Sequence, residues 1–114
     1  MRKIHFFIFI IVLFSSCLNK SDCEALSKMN KENECIAILT ESATYSSTPI
    51  ENGINPFTNE KCDCEENDRW IRIYSSEMEI GDTVIKKKGE LKLSIHKKDT
   101  IITYNFKCEN KIYE

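Results

Sequence analysis

Two cysteines one residue apart, Cys62 and Cys64, are the residues of this chain best suited to chemistry. Two thiolates at this spacing, with Asp63 between them, could hold a soft metal ion or cycle between thiol and disulfide. A structural zinc site needs two further ligands at matching spacing, and none stands nearby in the sequence. The remaining candidates could complete such a site only through the fold: Cys35, Cys108 and His96. We therefore predict no bound metal and no cofactor, with a thiol-based metal or redox site at Cys62 and Cys64 as the alternative.

The N-terminal segment predicts where the protein is located. Two basic residues are followed by an unbroken apolar run, residues 6–14, and then by Ser15, Ser16 and Cys17. A basic start, a short apolar run and small residues before a cleavage point are the features of a signal peptide. As a helix the nine apolar residues would rise about 14 Å, roughly half of the apolar thickness of a bilayer. The run is therefore too short to span a membrane.

Residues 1–17 resemble the lipobox signal peptide of bacterial lipoproteins. The resemblance implies that the peptide is cut before Cys17, and that the thiol and the new amine of Cys17 are acylated. The mature chain would then be attached by its N-terminal lipid to a membrane of the bacterial cell envelope. Leu18, which follows the cysteine, resembles sequences that are sorted to the outer membrane, and the leaflet stays open.

The mature chain would be small and mildly acidic. Without residues 1–16 it has 98 residues, with 14 Lys and Arg against 18 Asp and Glu, a net charge near −4. Such a chain has no electrostatic reason to bind nucleic acid, so we predict no nucleic-acid partner. A domain of this size buries only a modest core and often needs covalent cross-links. We divide the chain into a cleaved signal peptide, a lipid-anchored tether and a single small α+β domain: residues 1–16, 17–22 and 23–114.

With Cys17 lipidated, five cysteines are disulfide candidates: Cys23, Cys35, Cys62, Cys64 and Cys108. In an oxidising envelope the simplest expectation is two bridges and one leftover thiol. The spacing favours a bridge from Cys23 to Cys35, which would staple a local helical segment. It also favours a bridge from Cys108 to Cys62 or Cys64, which would tie a long loop to the last strand. We predict that the leftover thiol is not catalytic, because nearby carboxylates raise its pKa.

The helical and irregular zones come first along the mature chain. Residues 21–24 have the S-x-x-E form of a capping box and open a helical segment that reaches about Ser42. A polar stretch, residues 30–34, interrupts its apolar stripe, so either one helix has a polar middle or two short helices meet there. Residues 43–68 contain both prolines and the Cys-Asp-Cys unit, and we predict an irregular segment.

From Arg69 onward apolar and polar residues alternate with a period of two, which is typical of strands. The predicted buried face consists of Ile71, Ile73, Leu91, Leu93, Ile95, Ile102, Tyr104 and Phe106. The connections are too short for parallel crossovers, so the strands should form an antiparallel meander. The predicted fold class is α+β, with a short N-terminal helical segment packed on a small antiparallel β-meander of three to five strands.

The histidine and the lysines of this region are predicted to lie on the protein surface and not in a catalytic site. His96 falls on the solvent face of its strand, which favours a surface histidine over a catalytic one. Six lysines are predicted to form a solvated basic face, or a docking patch for an anionic partner: Lys86, Lys87, Lys88, Lys92, Lys97 and Lys98. The chain has no nucleophile elbow, zinc-protease motif or phosphate-binding loop. We therefore predict that the protein is not an enzyme.

These features together predict a small lipid-anchored cell-envelope lipoprotein that acts as a binding, inhibitor or immunity-type module. The membrane is reached through the lipid on Cys17, and the other partner is an unknown protein or glycan. A flat sheet or the long loop would be the contact surface. The alternative function is the thiol-based metal or redox protein that uses Cys62, Asp63 and Cys64.

Overall fold

A computed structural model describes residues 20–114, which form one helix and a seven-stranded sheet. The elements are α1 (Lys20–Glu32), β1 (Cys35–Ile38), β2 (Ile50–Ile54), β3 (Lys61–Cys64), a 3₁₀ helix (Arg72–Glu77), β4 (Thr83–Lys86), β5 (Lys92–His96), β6 (Ile101–Cys108) and β7 (Lys111–Tyr113). The sheet is antiparallel, in the order β3-β2-β1-β4-β5-β6-β7. The α+β class is confirmed, but the sheet has more than the three to five strands predicted. No helix within residues 20–114 has the length and apolar character needed to cross a bilayer.

The N-terminal helix ends earlier than the sequence predicts. α1 stops at Glu32, so the predicted helical structure up to about Ser42 is wrong. The carbonyl oxygen of Lys31, in the last turn, accepts the backbone N–H of Gly89 at 2.6 Å and the Nζ of Lys86 at 3.1 Å. Because these donors come from the end of β4 and the turn after it, a long-range contact fixes the end of the helix.

The segment after α1 becomes a central strand of the sheet. β1 pairs with β4 along its whole length, from Cys35 opposite Lys86 to Ile38 opposite Thr83. Alternate residues of this segment are buried: Cys35, Ala37 and Leu39. Burial at every second residue is the strand period, which four residues were too few to reveal against the helical signals beside them.

The segment predicted to be irregular, residues 43–68, contains the hairpin formed by β2 and β3, so that prediction is wrong. Pro49 directly precedes β2 and Pro56 lies in the turn, so neither proline removes a donor from the ladder. A bulge in β2, where Asn52 has a φ of 56°, offsets the register. Turn-forming residues therefore surround two short strands here and do not form one long loop.

The first of the predicted strands is a turn followed by the 3₁₀ helix. Trp70 and Ile71 are both buried although they are adjacent, which no strand facing a core on one side allows. Ile73, predicted to be buried, is 52 % exposed. The buried carboxylate of Glu66 holds this turn, because it accepts the backbone N–H groups of Ile71 and Arg72, each at 2.8 Å.

The core lies between one face of the sheet, the inner face, and a cover made of α1 and the connection from β3 to β4. Its buried residues are Cys35, Ala37, Leu39, Ile50, Cys64, Trp70, Ile71, Met78, Val84, Leu91, Leu93, Ile95 and Phe106. Trp70 contacts Phe106 edge-on, with ring centroids 5.5 Å apart. The predicted burial of Leu91, Leu93, Ile95 and Phe106 is confirmed, while Ile102 and Tyr104 are half-buried.

Candidate functional site

The cysteines form two disulfides, but not in the predicted pairs. Cys23 is bonded to Cys108 and Cys35 to Cys64, with Cα atoms 5.7 and 5.2 Å apart. The predicted bridges from Cys23 to Cys35 and from Cys108 to Cys62 or Cys64 are wrong. The reason is the position of β1: as a strand of the sheet it places Cys35 against β3, which leaves the start of α1 beside the end of β6.

The Cys-Asp-Cys unit does not offer two thiols. Cys64 is oxidised, and Cys62 is the one free cysteine among the residues described. The half-buried Cys62 thiol donates a hydrogen bond to the carbonyl oxygen of Ile36, with Sγ 3.5 Å from the oxygen. Burial, reinforced by the neighbouring charge of Asp63, raises the pKa of Cys62. A raised pKa disfavours the thiolate that redox or metal chemistry requires.

No cluster of three possible metal ligands occurs within residues 20–114. The alternative hypothesis of a metal or redox site at Cys62 and Cys64 therefore lacks its ligand set in the part of the chain described here. Cys17, the predicted lipidation site, lies outside the described residues. α1 begins at Lys20, so the last residues of the predicted tether, 20–22, are helical.

The predicted lysine face is only partly solvated. Lys86 is completely buried, and its Nζ donates to the carbonyl oxygens of Lys31, at 3.1 Å, and Asn33, at 2.5 Å. Burial lowers the pKa of Lys86 to about 8. The prediction that Lys86 is solvated is wrong, because its partners are backbone carbonyls at the end of α1 and leave no trace in a sequence pattern.

His96 lies beside a shallow surface cleft formed by two turns, residues 79–83 and 96–100. The carboxylate of Asp82 accepts the backbone N–H of Glu79 at 2.9 Å and the Nζ of Lys97 at 2.5 Å. These contacts join the two turns, so the buried acid of the cleft has a structural role. His96 is half-buried and stands opposite Thr83 and Ile101, and it makes no side-chain hydrogen bond to that carboxylate.

The feature most suited to binding is the turn of the β2–β3 hairpin. Phe57 at its tip is 77 % exposed, the largest exposure of any large hydrophobic residue described. The side chain of Asn55 fixes the tip, because its Oδ1 accepts the backbone N–H groups of Phe57, at 2.8 Å, and Thr58, at 3.2 Å. The backbone of Asn55 also bonds to Glu60 and Asn59, each at 2.8 Å. The aromatic ring is thus displayed on an ordered turn.

The flanks of this hairpin are acidic. Residues 50–65 have four acidic side chains, all exposed, and one lysine: Glu51, Glu60, Asp63, Glu65 and Lys61. The carboxylate of Asp63 accepts the backbone N–H of Asn52 at 2.7 Å, and the hydroxyl of Thr40 donates to the carbonyl oxygen of Asn52 at 2.6 Å. The Cys35–Cys64 disulfide adds a covalent link to β1. The hairpin is therefore an acidic, braced element with an aromatic residue at its tip.

Comparison of the chain with protein-family models, with curated proteins and with solved structures finds no match. Sequence reasoning missed Phe57, although one signal was present: residues 55–59 combine an Asn-Pro turn and a second asparagine with one large aromatic. An aromatic residue flanked by turn-forming residues is a candidate for exposure to solvent.

Proposed function

We propose that this protein is a non-catalytic binding module held at the bacterial cell envelope by a lipid on Cys17, and that the β2–β3 hairpin is its contact surface. The features of residues 1–17 support the location, because they combine a basic start, an apolar run and a cysteine after two serines. The observation that carries the binding role is Phe57, which is 77 % exposed on a turn ordered by Asn55.

The exposed ring provides the driving force for binding. Complete burial of a phenylalanine side chain stabilises a complex by about 1.5 to 3 kcal/mol. Aromatic residues are frequent among the few side chains that dominate binding energy at interfaces. Because the turn is already ordered by its own hydrogen bonds, less conformational entropy is lost when Phe57 enters a pocket.

The charges around the ring indicate the type of partner. Four exposed carboxylates and one lysine within residues 50–65 create a negative field around the hairpin. Complementary charge speeds association and excludes partners of the same sign. The fitting partner is therefore a protein with an apolar pocket surrounded by basic residues, and not an anionic lipid surface or an acidic glycan.

Crosslinking in the living bacterium tests this proposal. A photoreactive phenylalanine analogue replaces Phe57 in the full chain, and a control chain has the same analogue in place of Lys98, an exposed residue of the turn after β5. We expect a discrete protein adduct from position 57 and none of the same mass from position 98. Absence of an adduct at position 57, or identical adducts from both positions, would contradict the hairpin as the contact surface.

The acidic flank has its own control in the same experiment. Replacing Glu60 and Glu65 by glutamine in the chain with the analogue at position 57 removes two charges without changing side-chain size. We expect a weaker adduct, because the attraction for a basic partner is reduced. An adduct of unchanged or greater yield would contradict a basic partner.

A further inference from the structure

The face of the sheet opposite the core, the open face, has an apolar centre. Residues whose neighbours point into the core must point outward on a strand, and this places Ile36 and Ile38 of β1 on the open face. Ile36 stands opposite Ile85 of β4, and Ile38 stands opposite Ile54 of β2. The four isoleucines are therefore neighbours across three adjacent strands, and each is half-buried.

The cover of the sheet lies on its other side. Cys23 and Leu26 of α1 belong to the core side, as do Trp70, Ile71 and Met78 of the connection to β4. On β5 and β6 the open face is mostly polar, with one exposed isoleucine, Ile101, among Lys92, Ser94, His96, Thr103 and Asn105. An apolar centre beside a polar margin is the composition of a protein interface, since contiguous apolar patches seldom stay exposed to water.

The two margins of the sheet have opposite charge. At the β3 margin the charged strand residues of the open face are Glu51 and Asp63, with one lysine, Lys61. At the other margin they are Lys92 of β5 and Lys107 of β6, and no acidic residue lies on the open face of β5, β6 or β7. Any partner of the whole open face must therefore present the reverse charge order, basic opposite β3 and acidic opposite β6.

We propose that the open face binds a second copy of this chain, in a symmetric face-to-face dimer with its two-fold axis parallel to the strands. β1 and β4 are the third and fourth of the seven strands, so an axis between them passes near the centre of the sheet. This rotation places β1 over β4 of the partner copy, which stacks isoleucine on isoleucine. It also places the acidic β3 margin over the basic β6 margin, twice.

A second copy of the chain thus places its basic margin opposite the acidic margin of the first copy, and its acidic margin opposite the basic one. Two sheets packed face to face lie about 10 Å apart with strand directions within about 30°, the arrangement of a β-sandwich. In an isologous contact each complementary pair occurs twice, so a single substitution removes two contacts. The dimer covers the open-face side chains of β3, whereas Phe57 at the tip of the β2–β3 turn lies beyond the end of the strands and stays exposed for the partner proposed above.

Two differently tagged full-length copies, expressed in one bacterium, test the dimer. Both copies have a photoreactive residue in place of Ser94, which stands opposite Ile85 on the open face. We expect a crosslinked species that contains both tags. If no such species forms, or if position 94 captures only other proteins, the open face does not bind a second copy.

Substitutions on the open face test the dimer quantitatively, through the yield of the doubly tagged species. Ile85→Lys should lower the yield of the doubly tagged species by about tenfold or more, because two lysines would be buried at the contact. Thr83→Lys, at a half-buried open-face position, should act in the same direction and serves if Ile85→Lys does not fold. Thr100→Lys, at an exposed turn residue, is the matched control and should leave the yield unchanged. An unchanged yield in the folded Ile85→Lys or Thr83→Lys chain would overturn the proposal.

The charge order has a separate test in isolated membranes. Raising the salt concentration from about 0.05 M to about 0.5 M shortens the range of electrostatic attraction and should lower the doubly tagged yield. Replacing Lys92 and Lys107 by glutamate reverses the basic margin and should lower it at low salt. A yield that is indifferent to both changes would contradict the arrangement in which the acidic margin lies over the basic margin.

Discussion

Replacement of Lys86 tests how this small fold is held together. Its Nζ is buried and donates to the carbonyl oxygens of Lys31 and Asn33, so it joins β4 to the end of α1. Lys86→Met keeps most of the apolar stem but removes this donor; the Lys31 carbonyl still accepts the backbone N–H of Gly89, whereas the Asn33 carbonyl loses its side-chain partner. An unsatisfied carbonyl costs about 1 to 3 kcal/mol, so above about pH 10.5, where the amine is neutral, the variant should be about 1 to 3 kcal/mol less stable. For a domain of this size that is a large part of the total stability.

The same lysine predicts a dependence of stability on pH. Burial lowers the pKa of Lys86 from 10.5 to about 8, so between these values the unfolded chain binds more protons than the folded one. The part of the free energy of unfolding that depends on the neutral Lys86 amine is therefore fully present above about pH 10.5 and is lost as the pH falls through about 8. A shift of this size corresponds to at most about 3 kcal/mol. Desolvation is its cause, and the nearby carboxylates of Glu90, Glu32 and Glu34 oppose it.

Urea unfolding of the parent, Lys86→Met and Lys87→Met chains measures both effects. All three contain Cys62→Ser, which prevents thiol–disulfide exchange at high pH. Lys87 is exposed, so Lys87→Met should change the free energy of unfolding by less than about 0.5 kcal/mol. The rise in stability between pH 8 and 10.5 should be present in the parent and absent in Lys86→Met. Equal stability of the parent and Lys86→Met above about pH 10.5, or the same pH dependence in both chains, would refute the burial of this amine.

Three further predictions concern the core, the cross-links and the anchor. Leu93 is completely buried, so Leu93→Ala should lower the free energy of unfolding by about 2 to 5 kcal/mol, whereas Lys92→Ala should lower it little. Equal melting temperatures of the two variants in thermal unfolding would contradict the assigned faces. The Cys23–Cys108 bridge spans 85 residues, so replacing both cysteines by serine should destabilise the domain by about 4 to 5 kcal/mol, because the unfolded chain gains entropy. A peptide map under non-reducing conditions that lacks this pair would disprove the bridge. Cys17→Ser should move the protein out of the membrane fraction; continued membrane association would argue against lipidation.

The parts of the fold that the sequence predicted are those with a long local period. β5 and β6 alternate apolar and polar residues over enough positions that Leu93, Ile95 and Phe106 could be assigned to the core. β1 could not be found in this way, because its four residues follow a helix and pair with β4 about fifty residues later. Short central strands are fixed by long-range pairing, which a local pattern does not record.

The site residues show the same limit for different reasons. The number of disulfides could be predicted from the cysteine count, but their pairing required the position of Cys35 in the sheet. The burial of Lys86 depends on two backbone carbonyls, and because every residue has a carbonyl, the sequence does not show which ones accept this side chain. Phe57 was missed because an exposed aromatic looks like a core residue until the turn around it is known.

The affinity of the crosslinked partner for variants of this chain tests the central claim most directly. Phe57→Ala removes the displayed ring, and Tyr45→Ala removes a second exposed aromatic, 61 % accessible, outside the hairpin. If the hairpin tip is the centre of the contact, Phe57→Ala should cost at least about 2 kcal/mol, a rise in Kd of about 30-fold. Tyr45→Ala should leave Kd nearly unchanged. An unchanged Kd for Phe57→Ala, or an equal loss in both variants, would contradict the assignment of the β2–β3 hairpin as the binding surface.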